Sequence, residues 1–400
     1  MSGNVIYSEP TVRIRSIDTI RGAIMIIMAL DHTRDFFHIT AFTADPVNPE
    51  TTTTILFFTR WITHYCAPSF MMLSGISAYL SGRKKTLAET SSFLMKRGLW
   101  LILVEIIFMT FALSFDITYK TIFLNVFWAL GTSMLVLGLL IRFTSARGIL
   151  IIGLLLVFGH NLLDFVKVAP NSPLDIFLGI FLTGGGRFIP RGDGGLIAFL
   201  YVILPWAGIM LSGYGLGKLY DKDVNPLRRK KVLLTLGIAA TVLFFVLRFI
   251  NLYGDPSLWT NQKESWRTVL SFFNVTKYPP SLLFTLMTLG PVLILLAFTD
   301  NTYNRFTKFV SVYGKVPFFF FVAHFYLIHS LSAIVVLASG YTWQQATDEK
   351  LFFKFRPVDF GFELGWVYLI WILIVMVMYK PSKWFGNYKS ANKKWWLSYM

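Results

Sequence analysis

Several things are scarce or missing in this 400-residue chain, and each omission removes a class of function. There is one cysteine, Cys66, which excludes an intramolecular disulfide and a cysteine-rich metal site. Gly-rich phosphate loops, H-E-x-x-H and G-x-S-x-G are absent, which disfavours nucleotide hydrolysis, zinc proteolysis and a buried serine triad. No metal cofactor is expected. Charge is scarce too: 14% of residues are charged, against about 25% in an average soluble domain. The opening M-S-G-N-V-I-Y-S-E-P lacks the basic n-region and cleavage site of a signal peptide. The first span is therefore expected to be the uncleaved start of the membrane domain. No internal repeat, low-complexity tract or Pro/Ser-rich linker divides the chain, so residues 1–400 are expected to form one domain.

What is present is apolar. The chain is 55% hydrophobic with 39 Phe, the composition of a polytopic membrane protein. The formal charge of +16 would suggest nucleic acid in a soluble protein. Here it reads as basic loops held on the cytoplasmic side, and no nucleic-acid partner is expected. Apolar runs of span length fall at about 17–37, 55–81, 98–116, 122–142, 147–164, 195–218, 231–252, 279–299, 314–339 and 363–380. The fold class is thus all-α, with about ten transmembrane helices in the lipid bilayer. Arg13 and Arg15, Arg83–Lys85, Lys96 and Arg97, Arg142 and Arg147, Arg228–Lys231, Arg305 and Lys308, and the Lys-rich tail all fall on alternate loops. That pattern puts both termini in the cytoplasm, with a short N-terminal segment at 1–15 and a basic, aromatic tail at 381–400. The opposite loops, about 38–54, 165–194, 253–278 and 340–362, are longer. Thr51–Thr54, Gly184–Gly186 with Arg187, and R-G-D-G-G at 191–195 read as turns and irregular coil.

The chain is organised around Ser16–Phe37. Its middle, Gly22–Leu30, is wholly apolar. It opens with Asp18 and Arg21 and closes with Asp31, His32, Arg34 and Asp35. Ionisable residues at membrane depth are costly and mark functional sites. Arg21 and His32, 11 residues apart, are separated by about 16 Å on a helix, the reach of a long, phosphate-headed molecule. Asp31 could hold the His32 tautomer for general-base work, although a solvated helix-end cluster would read the same way. In the second span Arg60 and His64 share a face at i, i+4. Arg60 could bind an anion or cap the interface. His324 and His329 in the ninth span are five apart, poor spacing for a zinc pair, and His324 lies deeper. Lys277 and Tyr278 precede Pro279–Pro280 at an outer helix start. Glu105 falls inside the third span, where it needs a partner or a cavity, and Asn125 and Trp128 lie in the fourth.

The stretch I-D-T-I-R-G-A-I-M-I-I-M-A-L-D-H resembles the first span of the transmembrane acyltransferase superfamily, in which Asp-x-x-Arg is followed after ten residues by His. C-A-P-S-F-M-M-L-S-G (66–75), V-F-W-A-L-G-T-S-M-L (126–135), K-Y-P-P-S-L-L-F-T-L-M-T-L-G (277–290) and Y-G-K-V-P-F-F (313–319) resemble bacterial homologues of heparan-α-glucosaminide N-acetyltransferase. The resemblance thus runs along most of the chain. It implies transfer of an acyl group, acetyl by analogy, from cytoplasmic acyl-CoA to a sugar or glycan amine or hydroxyl outside. It also implies residence in a bacterial inner membrane, and a homodimer. Carried over by position, His32 matches the motif histidine, Arg21 its arginine and Asp18 its aspartate. At the position of His32 the lysosomal enzyme resembles Asn, so the bacterial surface-glycan pattern is the guide followed. On this reading His32, with Asp31, His64 and His324, carries the chemistry. Arg21 and Asp18 meet acetyl-CoA, and Arg34, Asp35, Arg60 and Lys277 meet the acceptor. Direct transfer and an acyl-histidine route both remain open. The rival from another class is a proton-coupled transporter using the same groups. Paired halves with matching broken helices, the mark of many transporters, are not evident in the sequence.

Overall fold

The computed structural model describes residues 14–183, 186–300 and 302–400. Arg13, with most of the N-terminal segment 1–15, and Gly184 and Gly185 lie outside the described residues. The described chain is helical, in sixteen α-helices with one small sheet. α1 is Arg15–Phe37, and α2 (Thr54–Thr63) and α3 (Cys66–Gly82) follow as one broken rod. α4 (Leu87–Val104) runs through a π-helical turn, Glu105–Met109, into α5 (Thr110–Ser114). After strand β1 (Thr121–Leu124) come α6 (Val126–Leu140), α7 (Ala146–Gly159) and α8 (Pro173–Phe181). Strands β2 (Arg187–Pro190) and β3 (Leu196–Phe199) precede α9 (Leu204–Leu216), α10 (Pro226–Ile250) and α11 (Ser265–Phe273). The chain ends with α12 (Leu282–Thr299), α13 (Arg305–Gly314), α14 (Pro317–Ala338), α15 (Trp343–Ala346) and α16 (Leu364–Ala391).

Among the described residues six helical rods are long and apolar enough to cross a membrane: Leu87–Ser114, Ala146–Phe165, Pro226–Ile250, Leu282–Thr299, Pro317–Ala338 and Leu364–Ala391. α1, 23 residues long, matches them in length at about 34 Å but carries charge at both ends.

Several expected boundaries move, for local reasons. The third rod starts at Leu87, not near 98, because Thr86 and Glu89 form a capping box there. A count of apolar residues does not register a polar first turn. The stretch at 195–218 opens as strand β3, and its helix starts only where Pro205 sits in the first turn. Likewise 122–142 opens as β1. The parallel β1–β3 and antiparallel β2–β3 pairs form a three-stranded sheet. The expectation of a purely α fold, with coil at Arg187, is corrected to that extent. α16 continues past Pro381 to Ala391, so the first half of the expected tail is helix. Beyond it, Leu397 is buried beside Val316 and Phe385.

α1 is the hub. It packs against α2, α3, α12, α13, α14 and α16. The closest of these contacts needs glycine on both sides. A Cβ on Gly22 would overlap the Val310 carbonyl, and one on Gly314 the Asp18 carbonyl. α1 and α13 therefore meet backbone to backbone, the small-residue contact typical of helices in lipid. Trp371 Nε1 adds a 2.8 Å bond to the Ile26 carbonyl from α16.

Candidate active site

The first half of α1 presents Arg21. Its guanidinium donates to Ser77 Oγ on α3 at 2.7 Å and lies 3.8 Å from Asp18, one turn back. Asp18 is 4% exposed, so this end of α1 carries a buried carboxylate beside a cation.

At the other end, Asp31 is gripped by two arginines. Arg34 reaches it at 3.3 Å from one turn on, and Arg60 of α2 binds both its oxygens, the one to Oδ1 at 2.6 Å. Arg60 also donates to Thr63 Oγ1 at 3.3 Å. The two residues expected to meet an orienting histidine and an anionic ligand thus meet each other. The carboxylate in ion-pair range of His32 is Asp35, with Oδ2 3.6 Å from Nδ1. Asp35 is at the same time held by Arg34 at 2.6 Å. The i, i+3 geometry of a helix accounts for this: residue 35 sits over residue 32, whereas the adjacent residue 31 points about 100° away.

α14 supplies the second wall. His324 is fully buried, and its ring lies 5.4 Å from that of His32, with Phe325 at 4.1 Å. His324 Nδ1 is 2.8 Å from the Phe320 carbonyl. A carbonyl only accepts, so Nδ1 carries the hydrogen and Nε2 of the neutral ring keeps a lone pair. That Nε2 is buried and, among the described residues, has no hydrogen-bond partner. This tautomer makes His324 an acceptor at Nε2. His329, by contrast, is committed to structure, its two nitrogens lying 2.8 Å from the Ala112 carbonyl and 2.6 Å from that of Lys354.

His64, at the break between α2 and α3, is 3% exposed, its ring 5.4 Å from Phe284, and its Nδ1 has no hydrogen-bond partner among the described residues. Arg60, Lys277, Asp31 and Arg34 are the charges that act on it. Lys277 arrives from the loop before α12, its Nζ 5.1 Å over the Tyr278 ring, which in turn packs on Tyr201 at 5.3 Å. Two buried groups fix that loop. Arg248 donates to four backbone carbonyls, those of Ser257, Ser271, Phe272 and Asn274. Asp255 accepts from Ser257, Thr276 and Ser281.

The structure therefore brings Asp31, His32, Arg34, Asp35, Arg60, His64, Lys277 and His324 to one end of α1, and leaves Asp18 and Arg21 at the other. Glu105 serves the fold instead. It accepts from the backbone N–H groups of Phe127 (2.6 Å) and Trp128 (3.2 Å), capping the start of α6 from the π-helical turn. Arg356 escapes the sequence-based selection. It is 1% exposed and donates to the carbonyls of His38, Pro357, Phe360 and Asp35 at 2.6–3.3 Å, tying the segment before α16 onto the end of α1. An isolated Arg in a long loop gives no sequence signal for this role. Among the described residues no group of three or more His, Cys, Asp or Glu is placed to hold a metal ion.

No curated protein matches the chain. The family model of the heparan-alpha-glucosaminide N-acetyltransferase catalytic region matches residues 13–250. This stretch includes every candidate on α1, α2 and α3, whereas Lys277 and His324 lie beyond it. A match over more than half of the chain, on a scaffold with six membrane-length apolar helices, places this protein in the heparan-alpha-glucosaminide N-acetyltransferase catalytic family of transmembrane acetyltransferases.

Proposed function

We propose that the protein transfers an acetyl group from cytoplasmic acetyl-CoA to an amine or hydroxyl of a sugar or glycan on the outer side of a bacterial inner membrane. The whole chain acts as one domain with both termini inside. The ten crossings are α1, the α2–α3 rod, the α4–α5 rod, α6, α7, α9, α10, α12, α14 and α16. The observation that carries this reading is the orphaned Nε2 lone pair of His324 beside His32, with Arg21 on the same helix as His32 and about 16 Å away.

The residues present suit such a donor. Arg21 offers charge-assisted hydrogen bonds to phosphate, and Asp18 holds its fork in place. An extended arm running from Arg21 toward His32 passes Met25 and Met28, unbranched side chains that repack readily. At the far end a histidine removes the proton of the acceptor as its N or O bonds to the acetyl carbon. The carbon–sulfur bond then breaks, and the proton passes to the departing thiolate. His324, with its free lone pair, is the proton acceptor, and His32, backed by Asp35, relays the proton. Arg34 and the Lys277 ammonium steady the oxyanion, while Arg60 keeps Asp31 folded away from the reacting atoms.

The test is release of free CoA from acetyl-CoA by purified protein given a panel of amino sugars and glycans. Acceptor-dependent release, lost in His324→Gln and His32→Ala while CoA binding persists, is the expected result. No binding of CoA and no release with any acceptor would sink the reading and turn attention to transport.

A further inference from the structure

Three chain segments enclose a polar cleft that the proposed chemistry leaves unused. They are the turn between α5 and β1 (114–121), the turn between β2 and β3 (191–196) and part of the loop between α15 and α16 (347–354). A hollow of about 180 Å³ has Ser114 on its wall. It shares Asp116, Lys120, Gly194 and Glu349 with a more open hollow of about 470 Å³. The walls are held by their own hydrogen bonds. Asp116 accepts from the Thr118 N–H and hydroxyl and from the Lys120 N–H, and Asp193 accepts from the Gly195 N–H and from Arg191. Arg191 also reaches the Tyr119 carbonyl at 3.0 Å, which joins the first two turns. The Lys354 N–H fastens the third segment to the Ser114 carbonyl at 2.9 Å. From two of the walls Lys120 Nζ and Glu349 Oε2 meet at 3.3 Å, both side chains exposed. Phe352 lines the cleft and Phe188 stands beside it, both half-exposed, their ring centroids 6.2 Å apart.

The cleft lies on the segment that covers the reacting end of α1. Phe353, next to Phe352, packs its ring 5.7 Å from that of Phe36, and Phe36 is one helical turn, about 6 Å, beyond His32. Arg356 ties the same segment to the carbonyls of Asp35 and His38. We infer that this cleft binds the non-reacting units of an oligosaccharide acceptor without acidic groups, while the reacting sugar meets His32. The inference rests on the glycan acetyl-transfer reading above and deepens it by naming the acceptor class. A hydroxyl both donates and accepts, so it fits between Lys120 and Glu349, accepting from the ammonium and donating to the carboxylate. An exposed ion pair contributes little to stability and opens readily. Three carboxylates on the walls, Asp116, Asp193 and Glu349, oppose a sulfated or uronic-acid chain. A pyranose also presents C–H groups on its faces, which suit the Phe352 and Phe188 rings. Cleft and His32 are linked through two phenylalanine side chains, a span longer than one sugar ring, so the ligand is an oligomer. Binding its remote units helps to orient the reacting one.

The experiment measures binding of the full chain in nanodiscs to an array of tetrasaccharides (neutral, amino, uronic-acid and sulfated) and their monosaccharides, alongside CoA release with the same panel. Wild type is compared with Glu349→Ala, Phe352→Ala and Phe352→Trp. Tetrasaccharides without acidic groups should bind at least about tenfold more tightly than their monosaccharides, and that preference should fall about tenfold in E349A and F352A. The tetramer-to-monomer ratio of kcat/KM should fall in parallel, and F352W, which keeps a ring, should retain the preference. Melting temperatures should stay level, because both side chains are exposed. An equal preference in wild type, E349A and F352A overturns the inference and leaves the acetyl-transfer reading standing. So does a wild type that prefers acidic tetrasaccharides, or one that binds CoA but no saccharide. Neither CoA binding nor CoA release with any acceptor overturns both.

Discussion

Arg21 and His32 lie on one stripe of α1. Eleven residues at about 100° each return to within roughly 20° of the starting direction, and both side chains keep some exposure, 14% and 18%, on a helix most of whose residues are buried. Met25 and Met28 fill the stripe between them and are buried. Two polar groups facing one way from opposite ends of a membrane-length helix can engage the two ends of one extended ligand.

From that stripe it follows that Arg21→Ala raises the apparent KM for acetyl-CoA about tenfold or more and leaves that for the acceptor nearly unchanged. Steady-state kinetics with each substrate varied in turn would show the split. An unchanged KM for the donor would remove Arg21 from its site.

Blocking the same stripe should act differently. Met28→Trp adds bulk where the arm passes, so CoA affinity falls while the empty protein still folds, at a cost of about 1–3 kcal/mol for overpacking. CoA titration alongside thermal unfolding separates the two effects. Undiminished CoA affinity would mean the arm runs elsewhere.

The Asp31–Arg60 pair predicts a stability effect. Arg60→Ala leaves Asp31 with Arg34 alone and should cost about 3 kcal/mol, because one partner of a buried pair is stranded. The double variant with Asp31→Asn should recover much of that loss. Thermal melts of the two singles and the double test it, and additive losses would refute the coupling.

His38 predicts a pH dependence. It lies just outside α1, and burial, with Arg34 and Arg356 nearby, holds its pKa below the usual value against the opposing pull of Glu363. The neutral ring accepts from Thr40. An unfolded chain takes up the proton first, near pH ~6.5. The stability His38 contributes is therefore full above that pH and is lost as pH falls toward its own lower value. The fall in melting temperature between about pH 7.5 and 5 should be shallower in His38→Asn, and an identical slope in both proteins would exclude the effect.

How far the site was legible in the sequence differs from residue to residue. The candidates on α1 stood out because ionisable residues flank an apolar run. The Arg60–His64 spacing placed them on one face. Nothing local revealed that Arg60 would be taken up by Asp31, or that Lys277 would be carried in on a loop braced by Arg248 and Asp255. Those pairings join segments far apart along the chain. Asp35, by contrast, is the carboxylate near His32 for a reason the helix repeat alone contains. The sheet was missed because its strands are four residues each, shorter than the apolar runs that mask them.

The sequence by itself determined which segments are helical rods and which of them carry charge, because apolar length and the 3.6-residue repeat are local properties. The tertiary structure alone decided what each charge faces. The glycine contact between α1 and α13 sets how α1 sits in the bundle, and the Phe320 carbonyl sets the His324 tautomer and so frees Nε2.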